Sequence, residues 1–196
     1  MGNKLKICGV KYIEDIVSLN KVGVDFIGMI NDKVSPRYVD KETIINAVKF
    51  SNKPIVTVKV NDNIEEIMNS PTNYVQIHRL LSDYELNQIR SYNKKVILYV
   101  PADFSYINYL KKAVNYTDMI LLDSPIKGQR INKEIVKEML DYLPNAGIGG
   151  GINLNNIKEF VELNPGWFDI SSGVEKEIGK KDIDLVKKII EVINNG

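Results

Sequence analysis

The sequence predicts an α/β protein, a compact (β/α)8 TIM barrel, and three observations carry that expectation. Short β-branched runs alternate with longer amphipathic stretches, and the alternation repeats eight times along 196 residues. Each unit averages about 24 residues, enough for one strand and one helix, and eight such parallel units most simply close on themselves. Glycine clusters follow the seventh and eighth runs, whereas an open doubly wound sheet would carry its phosphate-binding glycines after the first.

The first strand is read over residues 5–10, Leu-Lys-Ile-Cys-Gly-Val. Side chains alternate along a strand, so Leu5 and Ile7 share one face while Lys6 and Cys8 share the other. With Leu5 and Ile7 against helices, a lysine and a thiol point into the barrel. Interior lysines are rare unless paired, so an inward carboxylate should offset Lys6, and Asp169 is the first candidate. The remaining strands are read over residues 25–30, 54–60, 74–78, 95–100, 118–123, 146–150 and 167–171. Helical spacing marks residues 41–50 (Ile44, Ile45, Val48), 62–69, 83–91, 104–114, 132–142, 154–163 (Ile157, Phe160, Val161) and 182–193 (Ile183, Val186, Ile189, Ile190). No linker, low-complexity segment or second module interrupts them, so residues 1–196 read as one barrel domain.

Composition excludes several function classes. A net charge of +1 offers no general attraction to nucleic acid or to an acidic membrane. No apolar run approaches the roughly 18 residues needed to cross a bilayer, and residues 1–10 lack the apolar core of a signal peptide. A single cysteine rules out an internal disulfide framework and suits a reducing compartment, so a cytoplasmic location is expected. The sequence makes no statement on oligomeric state.

Active sites of such barrels lie at the C-terminal ends of the strands. Those ends supply a short polar set: Cys8-Gly9 after strand 1, Ser35-Pro36-Arg37 after strand 2, and Gln76-Ile77-His78 at strand 4. Asp123 ends strand 6, Gly149-Gly150-Gly151 follows strand 7, and Asp169 to Gly173 complete strand 8. Gly150 and Gly151, with Ser171, Ser172 and Gly173, form the two loops in which these barrels hold phosphate. Bare backbone N–H groups beside a helix start attract an anion, and glycine lets it approach closely. The expected ligand is a small phosphorylated molecule, with no metal and no cofactor.

Several longer motifs occur in order on successive strands. They are Lys6-Ile7-Cys8-Gly9, Ser35-Pro36-Arg37-Tyr38-Val39, Val75-Gln76-Ile77-His78, Leu121-Leu122-Asp123 and Gly150-Gly151-Ile152-Asn153. The last is Asp169-Ile170-Ser171-Ser172-Gly173-Val174-Glu175, followed by Gly179-Lys180-Lys181-Asp182. Together they resemble the phosphoribosylanthranilate isomerase family, (β/α)8 enzymes of tryptophan biosynthesis, and the Asp-x-Ser-Ser-Gly-Val-Glu run is the most specific of them. The resemblance implies an Amadori rearrangement of N-(5-phosphoribosyl)anthranilate, an aminoaldose, to 1-(2-carboxyphenylamino)-1-deoxyribulose 5-phosphate, an aminoketose. It further implies Cys8 as the base that removes the sugar C2 proton and Asp123 as the acid that protonates the furanose ring oxygen. Arg37 would bind the anthranilate carboxylate, and Asp169 would belong to the substrate site. The strand-1 cysteine resembles the tryptophan-specific enzymes; dual-substrate relatives carry aspartate there.

These roles make physical demands. An acid and a base must flank the substrate. A free thiol has a pKa of about 8.5, so Cys8 needs a polar or cationic setting to act as thiolate. Asp123 needs a raised pKa to hold a proton near neutrality, for which desolvation is the expected cause. His78 is expected at the rim or behind the site, and Trp167 in packing.

Two departures from the family pattern stand out: His78-Arg79 where His-Gly is usual, and residues 125–131 in place of a Gly-Gly-Thr-Gly stretch. The second follows the proposed acid directly and bears on closure over the substrate. Two other readings stay open. Another sugar-phosphate barrel is one, although an epimerase wants metal-binding histidines, and indole-glycerol-phosphate synthase wants several inward lysines, for which Lys59 is the only other candidate. The second is a non-catalytic barrel that binds a phosphorylated ligand, against which the presence of both Cys8 and Asp123 argues.

Overall fold

Side chains that alternate between two apolar environments build the wall of this molecule. The computed structural model describes residues 3–126 and 128–196. Eight strands close in chain order: β1 (Lys4–Ile7), β2 (Phe26–Ile30), β3 (Ile55–Lys59), β4 (Tyr74–Ile77), β5 (Lys95–Pro101), β6 (Met119–Asp123), β7 (Gly147–Ile148) and β8 (Trp167–Ile170). All neighbours are parallel, and β8 pairs back onto β1 with Lys6 opposite Asp169. The helices are α1 (Ile13–Leu19), α2 (Lys41–Phe50), α3 (Ile64–Met68), α4 (Asp83–Ile89), α5 (Ile107–Ala113), α6 (Lys133–Tyr142), α7 (Ile157–Val161) and α8 (Ile183–Asn194).

The alternation sorts the core into two layers. Leu5, Ile7, Ile27, Met29, Val75, Ile77, Leu98 and Val100 pack with helix residues such as Ile16, Leu19, Ile44, Leu86 and Ile189. Phe26, Val56, Val58, Ile97, Leu121 and Trp167 fill the barrel interior together with Cys8. Trp167 is a packing residue, as its sequence context suggests; it occupies the space that Gly147 leaves by having no side chain. Short helices are marginal alone. Burying Val186, Ile189 and Ile193 of α8 stabilises by roughly 1.5–3 kcal/mol each, which is what holds that helix on the barrel.

Caps set where the helices begin. Asp40 accepts from the Thr43 N–H at 2.7 Å, so α2 matches residues 41–50. Asn63 forms a capping box with Glu66, so α3 starts at Ile64 rather than at 62. Asp103 accepts from Ser105 N–H, and the first turn of the expected 104–114 helix is a 3-10 turn. Residues 154–156 stay outside α7 because Asn156 turns back to accept from the Asn153 N–H at 2.9 Å. Two elements escaped the sequence reading. Helix α1 follows Tyr12, which offers no side-chain cap. A hairpin of β9 (Glu175–Glu177) and β10 (Lys180–Lys181) folds over the end of β8 from charged residues without apolar alternation.

The strands are also shorter than read. The chain leaves β1 after Ile7, although the Cys8 N–H continues the ladder to Ile170 O at 2.8 Å. The seventh strand covers Gly147–Ile148 instead of 146–150, and Gly150 turns out of the wall at φ +87°. Both changes place site residues in the loops just beyond the strand ends. Among the described residues no helix is long and apolar enough to cross a membrane.

Candidate active site

The C-terminal strand ends gather the expected residues into one region, beginning with Lys6. Its Nζ donates to both oxygens of Asp169, at 2.9 and 3.0 Å, and the lysine is fully buried. Burial opposes its charge most strongly, yet Asp169 and then Cys8 hold its pKa above the ordinary lysine value. The expected Lys6–Asp169 pair is therefore present. Gly28 makes room for it: a Cβ there would stand 2.9 Å from Cys8 Sγ and 3.0 Å from Lys6 Nζ.

Cys8 is 7% exposed. Burial pushes its thiol up, the charge of Lys6 pulls it down, Asp169 pushes it up again, and Lys181 also lowers it; the balance lies above the ordinary thiol value. The cationic neighbours are there, but they do not overcome desolvation. Asp123 is pushed up to about 7, first by burial and then by the charge of Asp169, against a hydrogen bond from the Ser124 N–H and the charge of Lys6. Its burial has a visible source. A Cβ on Gly149 would stand 3.0 Å from Asp123 Oδ2, and one on Gly150 2.7 Å from Oδ1, so the carboxyl lies directly on glycine backbone. His78 Nε2 is 3.9 Å from Asp123 Oδ2, while its Nδ1 is 3.2 Å from Gln76 Nε2 and its ring stacks 4.5 Å from Tyr99. That places His78 beside the Asp123 carboxyl. The Tyr99 hydroxyl is pushed up to about 12 by burial and by the Asp123 charge.

Arg37 reaches over Gly9, whose missing side chain leaves space for the arginine stem. Its Nε donates to Glu175 Oε1 at 2.8 Å and its Nη2 to Oε2 at 2.7 Å. Ser171 Oγ lies on the same side, 3.0 Å from where a Cβ on Gly9 would stand.

The two glycine loops pack against each other. Gly173 packs on the Ile152 carbonyl so closely that no side chain fits between them. Gly150 and Gly151 adopt φ of +87° and +67°, a region that L side chains rarely enter. The Gly151 carbonyl accepts from Asn156 Nδ2 at 3.0 Å and from Asn153 Nδ2 at 3.3 Å, and the Gly150 carbonyl accepts from the Ile131 N–H at 3.0 Å. With those carbonyls tied down, the N–H groups of Gly150, Gly151, Ser172 and Gly173 have no hydrogen-bond partner among the described residues. Such a set of backbone donors suits a phosphate. Among the described residues no group of three or more His, Cys, Asp or Glu is placed to hold a metal ion.

The departures find structural uses. Arg79 Nη2 donates to Glu85 Oε1 at 2.7 Å and to the Asp62 carbonyl at 3.2 Å, so it ties the loop after β4 to α4 and to the loop after β3. Arg79 and the Ser82 cap hold the Glu85 carboxyl down at about 2. Within residues 125–131, Lys127 lies outside the described residues; on either side, Ser124 Oγ donates to Ile126 O and Arg130 pairs with Glu159 of α7. Lys59 pairs with Asp62. Sequence reading gave no role to Glu175, Lys181 or Asn156. The first two stand in the quoted motif but on an unforeseen hairpin, and the Asn-Leu-Asn-Asn cluster over 153–156 was the available signal for the third.

Comparison with known proteins agrees with this geometry. The family model for N-(5'-phosphoribosyl)anthranilate isomerase matches residues 5–192. The N-(5'-phosphoribosyl)anthranilate isomerase of Saccharolobus solfataricus is 46% identical, over 98% of this chain and 97% of its own. That of Sulfolobus acidocaldarius is 41% identical, over 96% and 94%. A solved phosphoribosyl anthranilate isomerase, in complex with reduced 1-(o-carboxyphenylamino)-1-deoxyribulose 5-phosphate, superposes with a TM-score of 0.83 at 27% identity, covering 99% of this chain and 100% of that one. With a family match over nearly its whole length, the chain belongs to the N-(5'-phosphoribosyl)anthranilate isomerase family.

Proposed function

We propose that the protein catalyses the isomerisation of N-(5'-phosphoribosyl)anthranilate in tryptophan biosynthesis, with Cys8 as base and Asp123 as acid. The observation that carries this reading is the pairing of a buried thiol among cations with a carboxyl whose pKa is raised to about 7 in the same barrel mouth. Asp123 donates its proton to the furanose ring oxygen as the bond from that oxygen to C1 breaks. The anthranilate nitrogen supplies the electron pair and becomes a protonated Schiff base. The Cys8 thiolate then removes the C2 proton, giving an enolamine that ketonises to the aminoketose. A general acid or base of this kind contributes about 10²- to 10⁴-fold.

The rest of the mouth holds the substrate. Arg37 takes the anthranilate carboxylate, which a planar guanidinium fork suits. Gly150, Gly151, Ser171, Ser172 and Gly173 take the phosphate, chiefly through backbone N–H groups. Asp169, clamped by Lys6, lines the site between acid and base. A reducing cytoplasm is the compartment that keeps the lone thiol usable. Freshly made phosphoribosylanthranilate tests the proposal: the purified protein should extinguish its anthranilate-type fluorescence catalytically. Loss no faster than spontaneous breakdown would refute it.

A further inference from the structure

Glu175 accepts four hydrogen bonds at the barrel mouth, and the acid–base chemistry gives it no part. Its Oε1 accepts from Arg37 Nε at 2.8 Å, from Lys181 Nζ at 2.8 Å and from the Gly179 N–H at 3.0 Å; its Oε2 accepts from Arg37 Nη2 at 2.7 Å. The Glu175 side chain is 6% exposed and that of Lys181 is fully buried. Lys181 is itself pinned, with Nζ donating to the Ser171 carbonyl at 3.2 Å and its backbone N–H to Asp15 Oδ2 at 2.8 Å. Buried charges are costly unless paired and hydrogen-bonded. Here the pairing fixes a carboxylate from three directions, on the hairpin that folds over the end of β8.

The consequence falls on Arg37. A guanidinium is planar and presents five N–H donors in a rigid fork. Glu175 takes Nε and Nη2, which form the side edge. The end edge, made of Nη1 and the second N–H of Nη2, is left with the right spacing for another carboxylate in bidentate contact. The arginine is also held from behind, since its backbone N–H donates to Ser35 Oγ at 3.1 Å. Turning the fork out of its plane would break two charge-assisted hydrogen bonds.

We propose that Glu175, locked by Lys181, is a positioning residue that fixes the Arg37 guanidinium so that its end edge selects a substrate bearing a planar aryl carboxylate. The proposal rests on reading Arg37 as the partner of that carboxylate. It makes recognition a property of the β9–β10 hairpin as much as of the arginine.

Two ligands and a double-mutant cycle test it: the reduced product analogue and its counterpart without the ring carboxylate, titrated into wild type, Arg37→Ala, Glu175→Gln and the double variant. Glu175→Gln should weaken the carboxylate ligand by about tenfold, the low end for loss of a charge-assisted contact, while the counterpart stays within about twofold. With substrate, KM should rise by a similar factor and kcat change far less. In the Arg37→Ala background, Glu175→Gln should add nothing. Equal weakening of both ligands by Glu175→Gln, or losses that multiply in the double variant, would overturn the proposal. Equal weakening of both ligands by Arg37→Ala would overturn the underlying reading of Arg37, and the proposal with it. Should Glu175→Gln fail to fold, Arg37→Lys decides, because lysine keeps the charge but cannot be gripped in a fixed plane. It should show the same carboxylate-selective loss, and wild-type affinity there would overturn the proposal.

Discussion

Replacing Asp123 with asparagine should stabilise the protein while abolishing its chemistry, and the gain should depend on pH. The asparagine keeps the shape and can still accept the hydrogen bond from the Ser124 N–H, which is 2.6 Å long in the native protein. What changes is the cost of a buried carboxylate that also faces the charge of Asp169. Moving a carboxyl from 3.8 to about 7 is worth about 4 kcal/mol at 1.36 kcal/mol per pH unit. The side chain is 19% exposed, and water reaching it reduces that to about 2–3 kcal/mol. The direction follows from linkage. Because the folded pKa is raised, the stability that Asp123 contributes is fully present below pH 3.8 and is lost as pH rises to about 7. Denaturant unfolding of both proteins should therefore give similar stabilities near pH 4 and an Asp123→Asn advantage of about 2–3 kcal/mol near pH 8. A variant equal to or weaker than wild type at pH 8 would refute the claim that burial strains this carboxyl.

Other expectations follow from the same site. The kcat/KM profile should be bell-shaped, because the proposed mechanism needs a Cys8 thiolate together with a protonated Asp123. Its acid limb should fall near 7 and its alkaline limb above the ordinary thiol range. A profile with no acid limb near 7, or no alkaline fall above the thiol range, would contradict the assignment. Arg37→Ala should lower affinity for the reduced product analogue by about ten- to a hundredfold, as expected for a charge-assisted bond worth roughly 1.5–3 kcal/mol. Unchanged affinity in that titration would remove Arg37 from the site. Ser172→Ala should change affinity by less than about threefold, because the proposed phosphate donors are main-chain groups. Gly151→Val should cost far more, since the residue has φ +67° and a Cβ there would stand 2.9 Å from the Arg130 Cα. Equal losses from the two changes would point to the serine hydroxyl instead.

The barrel was legible because its signals are local. Alternation along residues 5–8 put Lys6 and Cys8 inside, and the rarity of unpaired interior lysines pointed to Asp169, which is the partner Lys6 has. Element ends were less legible where side chains outside the element decide them. Asn156 delays α7 in order to hold the Gly151 loop, and Gly150 ends β7 early. The hairpin over residues 175–181 lacked any apolar period, because what it buries is a salt bridge. For that reason Glu175 and Lys181 appeared in sequence as motif letters without a task. A raised pKa for Asp123 through desolvation was expected from chemistry, but the close packing on Gly149 and Gly150 and the nearby Asp169 charge need the folded geometry.

The most direct measurement of the central claim is turnover of freshly prepared phosphoribosylanthranilate by wild type, Cys8→Ala and Asp123→Asn, alongside binding of the reduced product analogue to each. The account expects turnover by wild type and a loss of at least about 100-fold in each variant, with the analogue still bound by all three. A Cys8→Ala protein that binds the analogue and retains most of its turnover would contradict it.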